Sequence, residues 1–154
     1  MNKHPNYTLL KVKKHRGMEG EGFNALLALS SDKKVIAEVM DEGSGGPLFI
    51  RPTDKVKYAQ FVSYVASQSV TYDLGDGRGP VEITTEREGC VIEEILEAFE
   101  WQKLIARASK TSIVFRLKED PNDSYRKVPL KGRAKDELVK AIYKKYPTAE
   151  ILSQ

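Results

Sequence analysis

Apolar and polar residues alternate along most of the first forty positions of the chain. From Tyr7 to Lys14, Leu10 and Val12 fall on one side and Leu9 on the other, the period-2 pattern of a half-buried strand. Phe23, Ala25, Leu27 and Leu29 line one face of a second such run, and Val35, Ala37 and Val39 one face of a third. Ser30-Ser31-Asp32-Lys33 joins them, and short polar side chains there bond the local backbone in a turn. The three runs predict an antiparallel meander. His15 to Gly22, between the first two strands, is too rich in glycine for a regular element. Asp41-Glu42-Gly43-Ser44-Gly45-Gly46-Pro47 follows the third strand as a second glycine loop, leading to a short strand Leu48-Phe49-Ile50 closed by Arg51-Pro52.

The period then changes. Thr53 or Asp54 is placed to cap a helix with Tyr58, Phe61, Val62 and Val65 on one face. Tyr72 to Pro80, carrying Gly75, Gly77 and Gly79, is expected to be a loop, and Val81 to Thr85 an edge strand. Cys90 to Lys110 is the longest helical stretch. Ile92, Ile95, Leu96 and Phe99 form one stripe, while Trp101, Leu104, Ile105 and Ala108 form a shifted one, predicting a bend or two abutting helices near Glu100. Two strands follow, Ile113 to Leu117 and Tyr125 to Leu130, around a Pro121-Asn122-Asp123 turn. A helix bearing Leu138, Val139, Ile142, Tyr143 and Tyr146 must stop before Pro147, and Ala149 to Leu152 supplies a last strand. Segregated runs of strands and helices favour an α+β fold over an alternating parallel sheet. At 154 residues the chain is expected to be one domain spanning 1–154. Its core should include Phe23, Leu27, Val35, Val39, Phe61, Ile95, Phe99, Val114, Leu138 and Ile142.

Composition narrows the setting. Charged residues make up 31% and apolar residues 40%, the balance of a globular chain rather than a disordered one. No apolar run approaches the ~20 residues that span a bilayer, and Met1 to Asn6 lacks the apolar stretch of a secretory signal. Cys90 is the single cysteine, so no intrachain disulfide forms, which suits the cytoplasm. The net charge of +3 is unevenly spread. Lys110 to Tyr146 holds 11 basic and 5 acidic residues, an excess of 11 − 5 = +6, which can make a positive face that attracts phosphates or acidic partners or simply supply solvated helix and strand faces.

The first half resembles small uncharacterised proteins encoded by tailed phages and prophages. The similarity lies in Phe23-Asn24-Ala25, Lys33-Lys34-Val35 and the Asp41-Glu42-Gly43-Ser44-Gly45-Gly46 loop. It continues in Ile92-Glu93-Glu94-Ile95, Lys103-Leu104, the strand Ile113 to Leu117 and Tyr125-Arg126, covering residues 15 to 130. The resemblance implies an accessory role in a phage or prophage, in the host cytoplasm, and carries no established activity.

Recognisable catalytic patterns are missing. No Gly-x-Ser-x-Gly opens a helix, and Gly43-Ser44-Gly45 lies between strands. No Gly-x-x-x-x-Gly-Lys-Ser/Thr phosphate loop occurs. His4 and His15 are the only histidines, too few for a zinc site with one cysteine. Asp73, Asp76 and Glu82 lack the alternating oxygen ligands of a calcium loop, so a plain turn is expected. Cys90, with no histidine near it in sequence, is expected to be a structural thiol. No cofactor, metal or enzymatic activity is expected.

Two surfaces remain as candidates. In a meander, the loops after the first and third strands emerge at the same sheet end. Their glycines would let backbone N–H groups approach an anion. The ligand-binding residues of that reading are His15, Arg16, Gly17, Gly43, Ser44, Gly45, Gly46 and Arg51, with the cationic ones supplying charge-assisted hydrogen bonds. The competing reading is that the glycines serve sheet corners. The second surface is Tyr125, Arg126, Lys127, Lys131, Arg133 and Lys135, suited to stacking and phosphate contact with nucleic acid, or merely to protecting an edge strand. The function expected first is therefore a binding protein for a small anionic, nucleotide-like or phosphorylated ligand. A module that engages a host protein comes next, and a nucleic-acid binder without sequence specificity after it.

Overall fold

The computed structural model describes residues 3–73, 75 and 77–153. Alternation becomes strand where it was expected. β1 (Tyr7–Arg16), β2 (Glu21–Leu29), β3 (Val35–Asp41) and β4 (Phe49–Pro52) form an antiparallel meander in the order β1-β2-β3-β4. Two departures from strict pairing matter. Leu10 pairs with Leu26 but Lys13 with Asn24, so β1 carries one extra residue, at which Lys11 adopts a φ of 51°. In β3, Leu27 faces Ala37 while Ala28 faces Val35, leaving Ile36 as the extra residue. A bulge of this kind re-aims side chains, and Ile36 is fully buried while Val35 is only half-buried. Ile36 also offers its carbonyl to the Thr53 and Asp54 N–H groups, tying the meander to the start of the next helix.

That helix, α1 (Lys55–Ser67), is capped by Asp54, whose carboxylate accepts from the Lys57 N–H at 3.0 Å. Phe61 and Val65 are its buried residues, and Phe61 meets the Tyr7 ring edge-on at 4.9 Å. Its C-terminal carbonyls accept from Arg87, which donates to Gln68 and Val65. The ends of the stretch expected to be a loop pair in a hairpin, β5 (Thr71–Asp73) with β6 (Pro80–Glu82), all six residues exposed, and Val81 and Glu82 fall where an edge strand was expected.

The long helical stretch is one uninterrupted helix, α2 (Arg87–Ser109), not two abutting helices meeting near Glu100. The stripe shifts close to a boundary between two units. The chain divides into two compact units, one running to Glu97 and the other beginning at Ala98, inside α2. Val91, Ile92 and Ile95 join the first core with Leu9, Leu27 and Phe61, whereas Ala98 and Ile105 are the buried positions of the second half of the helix.

The second unit is built around β7 (Ser112–Arg116). β8 (Arg126–Pro129) and β9 (Glu150–Ile151) flank it antiparallel in the order β8-β7-β9. Ile113, Phe115 and Leu117 pack with Leu138 and Ile142 of α3 (Lys135–Lys145), and Val114, on the opposite strand face, is also fully buried. The fold class is α+β with an N-terminal antiparallel meander, as expected, and the short strand expected after it joins as the fourth member. Of the expected core, Val35 and Phe99 are half-buried and the rest are buried. No described helix is long and apolar enough to cross a membrane.

Candidate functional site

The two glycine loops do meet, and the first is shorter than expected. β1 runs on through His15 and Arg16, and β2 begins at Glu21, so the first loop is 17–20. Its backbone locks onto the second loop. The Gly17 N–H donates to the Gly20 carbonyl at 2.7 Å, and the Glu19 and Gly20 N–H groups both donate to the Gly43 carbonyl, at 2.9 and 3.1 Å. The Gly43 N–H donates to the Asp41 carboxylate at 2.8 Å. A Cβ on Gly17 would stand 2.6 Å from the Gly43 Cα, and Gly43 itself has a φ of 67°. The glycines are therefore used for close approach of two backbones, and these four donors are already taken.

The remaining residues of that candidate site scatter. His15 and Arg16 are exposed on β1, opposite Gly22 and Glu21. Arg51 lies inside β4 opposite Glu38, whose carboxylate it binds through Nε at 2.9 Å and through Nη2, rather than beside the loops. Ser44, Gly45 and Gly46 are exposed, and the Glu19 carboxylate lies against Gly45. Glu19, Glu21, Asp41 and Glu42 add carboxylates to this end of the sheet, a poor field for an anion.

The basic surface has a different character. Arg126 is committed: it forks onto Asp120 with contacts of 2.9 and 2.7 Å, while the Leu117 N–H donates to the same carboxylate. Those bonds hold the Asp120 carboxyl down at about 2, the Arg126 fork being the chief cause. Tyr125 is half-buried and meets Trp101 edge-on at 5.8 Å. Lys127, Lys131, Arg133 and Lys135 are exposed and form no ion pair among the described residues. They are strung along β8 and a turn in which Lys131 and Gly132 take φ values of 45° and 77°, a left-handed pair that swings the chain into α3. Charge separates with the units. Residues 98–154 hold 13 Lys and Arg against 7 Asp and Glu, an excess of 13 − 7 = +6, and residues 1–97 hold 12 against 15, or −3.

Beside Trp101 lies an open groove of about 540 Å³, lined by Trp101, Gln102, Ile105, Ala106, Ser109 and Leu152. The Ser109 hydroxyl is out of solvent contact and has no hydrogen-bond partner among the described residues. Sequence reasoning missed this groove, because its wall combines a helix face with a residue more than forty positions later. It also missed His4. That ring is 3% exposed, with Nδ1 2.8 Å from the Tyr64 hydroxyl and Nε2 2.7 Å from the Glu94 carboxylate, which also binds Lys3 at 2.7 Å. An ionised carboxylate only accepts, so Nε2 donates to it. In the neutral ring, Nδ1 then accepts from Tyr64. Burial pushes the Glu94 carboxyl up, but the bonds from Lys3 and His4 outweigh it and hold the group below the usual carboxylate range. Nothing in the local pattern around His4 signals this arrangement.

Chemistry elsewhere is sparse. Burial, then the carboxylates of Glu93, Glu86 and Glu94, push the Cys90 thiol up, the reverse of what an attacking thiolate needs. Among the described residues no group of three His, Cys, Asp or Glu side chains is arranged to hold a metal ion. Of the calcium-like trio, Asp73 accepts from the Gly75 N–H at 2.9 Å, whereas Asp76 lies outside the described residues. Set against protein families, curated proteins and solved structures, the chain has no match in any of the three.

Proposed function

We propose that this chain is a non-catalytic binding protein whose C-terminal unit engages nucleic acid through its phosphates, without reading sequence. The observation that carries this reading is the segregation of charge: +6 in residues 98–154 against −3 in residues 1–97. Lys127, Lys131, Arg133 and Lys135 are exposed with no carboxylate partner among the described residues, so none must break an ion pair to meet a phosphate. The reading is consistent with an accessory role of the phage or prophage kind that the sequence resemblance implies. A small anion between the glycine loops is the weaker reading, since four of the loops' backbone donors are spent on the loops themselves.

The test is anisotropy of a labelled mixed-sequence oligonucleotide across a salt series. Four released counterions correspond to a slope of about −3 in log K against log salt. Lys127→Glu with Lys131→Glu should weaken binding at low salt and flatten that slope, whatever the oligonucleotide sequence. Absence of binding at low salt, or binding insensitive to salt, would refute the proposal.

A further inference from the structure

We infer that the groove beside Trp101 takes an unpaired nucleobase, so that the C-terminal unit prefers single-stranded nucleic acid to duplex. The inference rests on the nucleic-acid reading and extends it from phosphates to bases. Three observations converge. The groove, at about 540 Å³, falls within the roughly 300–1,000 Å³ of small-molecule sites. It has an aromatic wall in Trp101 and aliphatic walls in Ile105 and Leu152. Base stacking on an aromatic face tolerates any sequence, because every base has a π-face.

The second observation is polar. Ser109 lines the groove with a buried hydroxyl that has no partner among the described residues, and the Gln102 amide lies one helical turn before Ala106 on the same wall. The Ser109 hydroxyl is closed to solvent, whereas Gln102 is exposed on the groove wall, so its amide, which both donates and accepts, is the polar group there that a base edge meets. The third is continuity with the basic surface. Trp101 touches Tyr125, and Tyr125 directly precedes Arg126 and Lys127 at the start of β8. A strand following Lys127 and Lys131 by its phosphates therefore passes the ring pair that borders the groove. Duplex bases stay stacked inside the helix and cannot enter a groove of this kind, so charge alone would not separate single strand from duplex in the expected direction.

Trp101 is the only tryptophan in the chain, so its emission reports on this groove alone. The wild-type protein is titrated at low salt with a mixed-sequence single strand and with the matching duplex, while anisotropy and tryptophan emission are followed together. The inference expects saturable quenching by the single strand, little change with duplex, and an affinity ratio of about tenfold, the scale of one stacked base. Ala106→Leu, at an exposed helix position in the groove wall, should fill the space and bring the two affinities together. If both nucleic acids bind by anisotropy but neither moves Trp101 emission, or duplex binds as tightly as single strand, the groove inference is overturned while the phosphate reading stands. If neither binds at low salt, both fail.

Discussion

Gly17 and Gly20 sit three residues apart in one loop, and the structure assigns them opposite costs. A Cβ on Gly17 would fall on the Glu42 carbonyl oxygen and 2.6 Å from both the Gly43 Cα and the Gly43 oxygen, all of it backbone. Nothing lies within 4 Å of a Cβ on Gly20. Gly17→Ala must therefore part the two loops. Overpacking costs about 1–3 kcal/mol, and the bonds from the Glu19 and Gly20 N–H groups to the Gly43 carbonyl are at stake, at about 1 kcal/mol each. Against this, alanine lowers the entropy of the unfolded chain by about 0.4–1 kcal/mol. The expected loss is about 2–4 kcal/mol. Gly20→Ala keeps its N–H bond and meets no atom, so it should be neutral or stabilise by up to about 1 kcal/mol. Urea unfolding followed by far-UV circular dichroism measures both. A Gly17→Ala protein within about 0.5 kcal/mol of wild type, or a Gly20→Ala protein equally damaged, would refute the interlocked-loop reasoning.

His4→Ala removes a buried ring that bridges Tyr64 and Glu94 and should cost about 2–3 kcal/mol in the same assay, the upper range for a hydrogen bond to a charged group, with Tyr64→Phe costing about 1 kcal/mol. Because the folded Glu94 carboxyl lies below its ordinary 4.5, its contribution is complete above that pH and is lost as pH falls through the folded value. A stability–pH curve for Glu94→Gln should be flatter than wild type on this acid side. The Asp120 carboxyl is depressed from 3.8 to about 2, so the stability it gives the second unit is present above pH 3.8 and drains as pH approaches 2. Trp101 emission in acid titrations should show that loss in wild type and lose its steepness in Asp120→Asn; identical acid limbs would count against the Arg126–Asp120 fork as the source.

Much of the fold was legible because its signals are local. Alternation at Phe23, Ala25 and Leu27, the polar turn before Val35 and the cap at Asp54 each act within a few residues of where they are read, and all three appear in place. The candidate site was less legible. That the two glycine loops share a sheet end follows from meander topology, but whether their N–H groups face a ligand or each other depends on how closely the two backbones approach. Arg51 shows the same limit: its neighbour across the strand pair, Glu38, captures it, and register is not written in the spacing of glycines. The basic run from Lys127 to Lys135 was visible in sequence, whereas the loss of Arg126 to Asp120 was not.

The sequence by itself determined the class of the molecule: a meander, two capped or proline-ended helices, a long helix with two apolar stripes, and a basic C-terminal third. Tertiary structure alone decided what those stripes and charges meet. The stripe shift at Glu100 fell within one continuous α2, close to the boundary between the two units, and a single extra residue in β3 buried Ile36 in place of Val35. His4 found partners 60 and 90 residues away, and Trp101 found a groove wall in Leu152. Secondary structure rests on energies set by nearest neighbours, so a linear pattern records it. Burial of a polar ring or the opening of a groove depends on which distant surfaces are brought together, and that information exists only once the chain has folded.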